Sequence, residues 1–298
     1  MRFVTYRLGQ AEARLGLQHQ GLVIDVAAFA QGLPSTMLEL IDLGPLALAV
    51  LRSAVDAATS IDLVGCSVPE GNVTLLAPIP RPRKNIFGIG LNYTKHVAES
   101  ARALDTANSL PKQPVIFSKP PTAVVSWNDP IRHNAKITQQ LDWETELAVV
   151  MGQTARHVDA ADALNYVFGY TVINDVSARD CRRAGQWIVS KGQDSFAPMG
   201  PCIVTRDDIA DPQTLNLWTK VNGIEKQNSN TSFMLFNVGQ LIADISSVMT
   251  LEPGDIIATG TPEGVGAGRD PQEFMWPGDV VECHVEGIGT LRNPVVAV

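Results

Sequence analysis

Two glutamates stand two residues apart in the segment LDWETELAVVMG, which covers residues 141–152 and has the composition of a β-strand. Side chains at positions i and i+2 of a strand point to the same face, so Glu144 and Glu146 would lie side by side and repel each other. A bound cation would cancel that repulsion. The alternative is that both glutamates face solvent from an edge strand, because acids are seldom buried without a partner.

A third acid, Asp175, ends the apolar run YVFGYTVIND, at the point where a strand passes into a loop. Loops that follow strands often carry functional residues. With Glu144 and Glu146, this aspartate would make a site of three carboxylates in which every donor is oxygen. Mg²⁺, Mn²⁺ or Ca²⁺ prefer such donors, whereas zinc does not, so the sequence predicts a site for a hard divalent cation.

A histidine and a further glutamate could supply acid–base chemistry. His96 and Glu99 lie three residues apart in a segment with helical character, so their side chains can touch. A carboxylate beside an imidazole fixes its tautomer and raises its basicity, which makes His96 a candidate base for activating water. Residues 93–111 hold this pair with few apolar anchors, which predicts a lid that orders over bound substrate.

Positive and polar groups elsewhere in the chain could bind an anion. Lys191 could bind a substrate carboxylate or a developing enolate, and Arg179 could bind a carboxylate through two hydrogen bonds. The turn Gly260-Thr261 offers backbone N–H groups and a hydroxyl to the same anion. Together these groups indicate an acidic, oxygen-rich small molecule as the substrate.

The order of the motifs resembles a known family. GIGLNYTKHVAES, SKPP, DWETELAVVMG, GYTVINDVSARD, SKGQDSFAPMGP and ATGTPEGVG follow one another from residue 88 onwards. This series resembles the fumarylacetoacetate hydrolase superfamily over about residues 80–298. The resemblance implies a mainly β, α+β fold, the mixed β-roll of that family, usually assembled as a homodimer. It also implies that Glu144, Glu146 and Asp175 bind the metal.

The predicted reaction is metal-dependent hydrolysis of a C–C bond in a 2,4-dioxo acid of the acylpyruvate, fumarylpyruvate or maleylpyruvate type, in the catabolism of aromatic compounds. The cation would bind the 1-carboxylate and the 2-oxo group as an electron sink. His96, oriented by Glu99, would deprotonate a water that attacks the 4-carbonyl, while Lys191 and Arg179 stabilise the charge. The products would be pyruvate, or a close relative, and a second acid.

Other functions remain open on the same residues. Decarboxylation or tautomerisation of oxaloacetate, and dehydration or hydrolysis of 2-oxo-3-deoxy sugar acids, would use the same electron sink. A non-catalytic metal-binding protein is the alternative from a different class. Such a protein would keep the three acids but would have no use for His96, Glu99 and Lys191.

One position departs from the family pattern. Many members have Gln three residues after the arginine of NDVSARD, where this chain has Arg182. If the Arg182 side chain points into the pocket, it favours a dicarboxylate substrate. If it points outward, it is surface charge, and the sequence leaves both possibilities open.

The elements that must position these residues divide into two predicted domains. The sequence predicts a small N-terminal α/β module over residues 1–78. It has short strands up to about residue 26 and a helix over residues 35–59 that Ser35 caps. Prolines at 78, 80 and 82 favour an extended connector. In the catalytic domain, residues 79–298, short β-type runs outnumber the helices, which are predicted at 96–103, 160–165 and 236–246.

Composition and missing motifs exclude several classes of function. The 298-residue chain has a formal net charge of −8, so neither nucleic acid nor an anionic membrane is an expected partner. No apolar stretch has the length of a signal peptide or a membrane span, which predicts a cytoplasmic protein. The four cysteines show no CxxC spacing, and the dinucleotide, P-loop, HExxH and GxSxG patterns do not occur.

Overall fold

Strands dominate the computed structural model, which describes residues 1–59, 61–103, 109–183 and 186–298. Within these ranges the α-helices are α1 (Val26–Phe29), α2 (Met37–Ala57), α3 (Thr94–Ala103), α4 (Ile188–Lys191) and α5 (Val238–Val248). The strands of the first half are β1 (Arg2–Arg7), β2 (Arg14–His19), β3 (Leu22–Asp25), β4 (Ser67–Pro69), β5 (Thr74–Leu76), β6 (Ile86–Gly90), β7 (Val115–Lys119), β8 (Val124–Val125), β9 (Ile131–His133) and β10 (Leu141–Asp142). Those of the second half are β11 (Thr145–Met151), β12 (Val167–Asn174), β13 (Ser177–Ala178), β14 (Ala197–Thr205), β15 (Asn216–Val221), β16 (Ile224–Asn230), β17 (Ile256–Ala258), β18 (Val280–Val285) and β19 (Gly289–Ala297).

One large sheet carries most of the predicted site. Its strand order is β4-β3-β2-β1-β14-β12-β11-β17-β6-β7, with β5 joined to β1 and β8 to β14. Strand β11 lies in the interior and pairs antiparallel with both β12 and β17. Every residue of β11 and β12 is buried, so both faces of these strands pack into hydrophobic cores, as their continuous apolar runs require. The solvent-facing edge strand considered for Glu144 and Glu146 is therefore wrong.

The segment around the two glutamates is not one continuous strand. Strand β10 ends at Asp142 and β11 begins at Thr145, so Trp143 and Glu144 lie between them. Strand β10 pairs with β13 in a separate two-stranded sheet. Glu144 thus lies at the point where the chain changes sheets, and Glu146 lies inside the large sheet.

A second sheet, of order β16-β15-β18-β19-β9, stands beside the first. Its residues Leu217 and Val281 share one hydrophobic core with Leu147 of β11. Polar side chains also link the two sheets, because Gln227 of β16 accepts a hydrogen bond from the Thr145 backbone N–H at 3.1 Å. The start of β11 is therefore fixed from both sheets.

The N-terminal strands extend the large sheet, since β1 pairs with β14 through Phe3 and Ile203. The sheet thus continues across the predicted boundary at residue 78, and the division into two domains stays a prediction.

Helix α2 begins two residues later than predicted, because Thr36 and not Ser35 is the N-cap. It is kinked at Gly44, which has a left-handed φ of 71° and precedes Pro45.

Two other helix predictions need correction. The helix predicted over residues 160–165 is only a 3₁₀ turn at Ala163–Tyr166. Helix α5 begins at Val238 rather than at residue 236, because Asn237 and Gln240 form a reciprocal capping box that sets its start.

The prediction of a mainly β, α+β fold is confirmed. Among the described residues, no helix combines the length and the apolar character that a membrane span requires.

Candidate metal centre and active site

The three predicted acids meet at the junction of β11 and β12. Thr145 is paired with Asn174, so the residues next to them, Glu144 and Asp175, come together, and the Asp175 N–H donates to the Glu144 carbonyl oxygen at 2.9 Å. Carboxylate oxygens of Glu144, Glu146 and Asp175 all lie within 4.8 Å of one another. All three residues are buried, with at most 4% exposed. The structure therefore brings together the three acids that the sequence selected.

Charge repulsion and burial act most strongly on Glu146. Burial, followed by the charges of Asp175 and Glu144, raises the pKa of this carboxyl well above its usual range. Its Oε2 accepts a hydrogen bond from the Gly260 N–H at 2.8 Å. Its Oε1 is buried and has no hydrogen-bond partner among the described residues. Burial and the neighbouring acids therefore favour the neutral form of this carboxyl, and a cation beside it would favour the ionised form.

The donor set fits a hard divalent cation. Three carboxylates converge, their oxygens are the ligands that such cations prefer, and Glu146 Oε1 has a lone pair free to coordinate. Buried polar atoms normally have a hydrogen-bond partner, so an unpartnered Glu146 Oε1 is consistent with a role as a metal ligand. Glu144, Glu146 and Asp175 are thus the residues that could hold the metal.

Lys191 and Arg179 both lie in the site and bind the acids. The Lys191 ammonium donates to Glu144 Oε2 at 2.8 Å, to Asp175 Oδ2 at 2.6 Å and to Ser177 Oγ at 2.8 Å. Burial lowers the pKa of Lys191, but the charges of Asp175 and Glu144 outweigh it and the net shift is upward. Arg179 Nη2 lies 2.7 Å from Glu144 Oε1. The predicted anion-binding groups therefore also neutralise carboxylates of the predicted metal site.

The same contacts keep Glu144 ionised. Burial alone would raise the pKa of its carboxyl, but the positive charges of Lys191 and Arg179 outweigh burial and hold that pKa below its usual range. The two glutamates therefore differ. Glu144 is already paired with cations of the chain, whereas Glu146 is not.

Sequence reasoning missed two residues of this centre. Lys119, at the end of β7, is completely buried and forms an ion pair with Asp175 Oδ1. Burial lowers the pKa of Lys119 despite the nearby charge of Asp175. Asp142 accepts hydrogen bonds from Arg179 Nε at 2.8 Å and from the N–H of Trp143 at 2.8 Å. A lysine ending the apolar strand of the SKPP motif, and an acid directly before WETE, were the available signals.

The predicted base lies on helix α3. His96 Nδ1 is 3.2 Å from Glu99 Oε2, and His96 Nε2 is 3.4 Å from Ser100 Oγ. His96 and Glu99 are both buried. Within the predicted lid, residues 104–108 lie outside the described residues, so the lid stays a prediction.

One cavity joins these groups. It is lined by the predicted base, by Glu144 alone of the three acids, by cationic side chains and by small, polar and apolar residues: Ile89, Gly90, Leu91, His96, Ser100, Glu144, Ser177, Arg179, Arg182, Trp187, Ser190, Lys191 and Thr261. Arg182 thus faces the cavity, and its guanidinium lies over the Trp187 ring, 4.7 Å from the ring centre. Arg182 is also exposed to solvent, so it combines contact with the cavity and surface charge, the two possibilities that the sequence left open.

The predicted anion-binding turn is partly used by the protein itself. The sequence predicts that Gly260 binds a substrate anion, whereas its N–H donates to Glu146 in the structure. Thr261 lines the cavity, but its hydroxyl donates to the Thr145 carbonyl oxygen at 3.0 Å and accepts from Gln227 Nε2 at 2.8 Å. The Thr261 hydroxyl can therefore offer a ligand only an acceptor lone pair.

Comparison with known proteins decides the family. The family described as fumarylacetoacetate (FAA) hydrolase C-terminal matches residues 85–296. The chain belongs to the fumarylacetoacetate hydrolase family. Members of this family are enzymes, and a small molecule is the expected substrate. The resemblance inferred from the motifs is thereby confirmed.

Family members with different activities are similar to this chain. The mitochondrial oxaloacetate tautomerase fahd2 of Xenopus laevis is 41% identical over 302 residues, covering 99% of this chain and 90% of that protein. The oxaloacetate tautomerase YisK of Bacillus subtilis is 43% identical over 224 residues, covering 75% and 73%. The structure of maleylpyruvate hydrolase from Sphingobium sp. SYK-6, in complex with manganese(II) and pyruvate, has a TM-score of 0.79 at 31% identity, covering 100% of this chain and 99% of that one.

Removal of a carboxylate charge should abolish metal binding. Glu146→Gln and Asp175→Asn each replace a hard anionic ligand with a neutral amide, so calorimetric titration with Mg²⁺ or Mn²⁺ should show no binding at concentrations that saturate the wild type. Glu12→Gln, which changes an exposed acid, is the matched control and should bind normally. Wild-type affinity in both site variants would rule out this metal centre.

Loss of the Lys119 charge should destabilise the metal-free protein. Lys119→Met keeps the volume of the side chain but leaves Asp175 Oδ1 without its cation, and breaking a buried ion pair costs about 3–5 kcal/mol. A bound divalent cation would compensate the negative charge of Asp175. Adding Mg²⁺ should therefore raise the melting temperature of Lys119→Met by more than it raises that of the wild type. Lys136→Met, at an exposed position, should change neither value. An unchanged melting temperature of the metal-free variant would contradict this role.

Proposed function

We propose that this protein is a divalent-metal-dependent enzyme that interconverts the keto and enol forms of oxaloacetate or a closely related dicarboxylic 2-oxo acid. Curated relatives with 41–43% identity are oxaloacetate tautomerases, and they support this activity more directly than they support the C–C hydrolase predicted from the sequence. The observation that carries the choice of substrate is Arg182. It lines the cavity and forms no ion pair with an acid of the described residues.

The cavity has separate groups for the two carboxylates of such a substrate. Arg179 and Lys191 are both occupied by Glu144, at the end where the metal-binding acids lie. The Arg182 guanidinium is stacked over Trp187 and donates no hydrogen bond to another residue of the described ranges. A 2-oxo acid with its reacting end at the carboxylates Glu144, Glu146 and Asp175 would direct its second carboxylate to Arg182.

The base is oriented by its neighbour. The Glu99 carboxylate can only accept a hydrogen bond, so His96 carries its proton on Nδ1 and presents the Nε2 lone pair. Tautomerisation breaks the C3–H bond of oxaloacetate, the electron pair of that bond forms the C2=C3 double bond, and the π pair of the C2=O bond moves onto its oxygen. His96 Nε2 takes the proton and returns it to the oxygen on C2.

When bound, the divalent cation would supply charge stabilisation for the enolate of the 2-oxo acid. The chain's own residues bind and shield the substrate around it. His96, Lys191 and Glu144 are buried, so water has little access to the reacting end of the cavity. We also propose that the enzyme requires Mg²⁺ or Mn²⁺, forms a homodimer and is located in the cytoplasm. The molar mass of the protein in solution tests the homodimer.

A second candidate is hydrolysis of a C–C bond in a 2,4-dioxo dicarboxylic acid, within the catabolism of aromatic compounds. Its support is the similarity to maleylpyruvate hydrolase and the position of His96, which could take a proton from water as well as from carbon. Release of pyruvate from maleylpyruvate, measured beside the tautomerisation and decarboxylation of oxaloacetate, distinguishes these activities.

Loss of the base should remove catalysis but not the metal. His96→Ala should lower the turnover number for oxaloacetate tautomerisation about a hundred- to ten-thousandfold, the usual contribution of a general base, while calorimetric Mg²⁺ titration stays normal. His19→Ala, which does not line the cavity, is the control. A His96→Ala variant with wild-type turnover would refute the assignment of the base, and a wild-type protein inactive on all these acids would favour a non-catalytic metal-binding protein.

Loss of the Arg182 guanidinium should weaken substrate binding more than turnover. Hydrogen bonds to a charged group contribute about 1.5–3 kcal/mol, so Arg182→Gln should raise KM for oxaloacetate about tenfold or more with little change in kcat. Arg183→Gln changes the neighbouring arginine, which does not line the cavity, and should leave both constants unchanged. A KM for oxaloacetate that Arg182→Gln does not alter would remove the argument for a dicarboxylate.

A further inference from the structure

Glu99 has a second set of partners besides His96. Its Oε1 and Oε2 lie 3.0 and 3.2 Å from the backbone nitrogen of Gly264, whose N–H donates to the carboxylate. Gly264 belongs to the turn formed by residues 264–268, which follows the TGTP motif. The Glu99 carboxylate therefore connects helix α3 to this turn, in addition to orienting the imidazole of His96.

The turn has room for Glu99 only because residue 268 is glycine. A Cβ atom at Gly268 would lie 2.1 Å from both Cγ and Cδ of Glu99, far inside van der Waals contact. Gly268 does not have the left-handed backbone that favours glycine. The backbone there would accept another residue, so the need for glycine comes from the space that Glu99 occupies.

The same turn is tied to the metal centre from its other side. Asp142 accepts hydrogen bonds from the N–H groups of Gly266 and Ala267 at 2.6 and 3.0 Å. Asp142 also accepts from Arg179 Nε, and Arg179 Nη2 lies 2.7 Å from Glu144 Oε1. A continuous series of hydrogen bonds and ion pairs thus runs from the metal-binding carboxylate to the turn.

We propose that turn 264–268 positions the His96–Glu99 pair over the carboxylate centre, and that Gly268 is the residue that makes this docking possible. Helix α3 has Val97 buried beneath it, while the exposed ion pair of Lys95 with Glu263, at 3.3 Å, contributes little. The buried Glu99 carboxylate is then the main polar anchor of the helix. The kinetic consequence of this docking rests on the proposed role of His96, but the docking itself does not.

The test is Gly268→Ala, with Gly71→Ala as the matched control, because a Cβ at Gly71 would meet no atom within 4 Å. Expulsion of Glu99 should lower kcat for oxaloacetate tautomerisation about a hundredfold, since a displacement of the base by an ångström has effects of that size. The Kd for Mg²⁺ should not change. Backbone amides of residues 97–100 should exchange hydrogen faster than in the wild type, and those of β11 should not.

A double-mutant cycle shows whether the effect passes through Glu99. In a Glu99→Ala background, Gly268→Ala should cause no further loss of kcat and no further increase in exchange, because the side chain it displaces is absent. Wild-type kcat and exchange in Gly268→Ala, or a full additional loss in the double variant, would overturn the proposal.

Folding of the variants adds a separate criterion. If Gly268→Ala alone fails to fold while the double variant folds like Glu99→Ala, the clash with Glu99 is supported. If the double variant also fails to fold, the proposal is wrong. If His96→Ala retains wild-type turnover, the proposed reaction fails, but the amide exchange of residues 97–100 still tests the docking.

Discussion

The burial of three carboxylates within 4.8 Å of one another is the constraint on which the rest of the site depends. Removing a charged group from water costs several kcal/mol, and like charges at this distance add to the cost. Lys119, Lys191 and Arg179 compensate part of that charge through ion pairs with Asp175 and Glu144. Glu146 receives only the Gly260 N–H, and its other oxygen has no partner in the described chain. A divalent cation bound between the three acids would supply the missing charge.

The fold brings these charges together by placing the ends of interior strands side by side. The pairing of Thr145 with Asn174 sets Glu144 next to Asp175, and both strands are buried on both faces. Lys119 arrives from the far edge of the same sheet, and Lys191 from the end of helix α4. His96, the predicted base, is supplied by helix α3. The large sheet therefore places the three acids within or directly beside its strands, while the shorter helices carry His96 and Lys191.

Motif type and spacing were enough to predict that the three acids meet and that His96 contacts Glu99. Glu144, Glu146 and Asp175 stood out as acids in or at the end of apolar strands, and the i, i+3 spacing predicted the contact between His96 and Glu99. Lys119 was missed because its partner, Asp175, lies 56 residues away in the sequence, and no local pattern reports such a pair. The orientation of Arg182 and the hydrogen bond from the Gly260 N–H to Glu146 depend on how loops lie in space, which no local sequence pattern reports either. The helix predicted over residues 160–165 was wrong because a six-residue propensity signal is too weak to set a helix without packing.

The central claim is that the three carboxylates hold a divalent cation at the inner end of a cavity built for a dicarboxylic 2-oxo acid. Anomalous X-ray diffraction from crystals grown with Mn²⁺ and oxalate, a stable 2-oxo acid analogue, tests it most directly. The account predicts one strong manganese peak bonded to oxygens of Glu144, Glu146 and Asp175, with oxalate completing the coordination on the side of His96. Manganese bound elsewhere, or no peak between these three side chains, would contradict it.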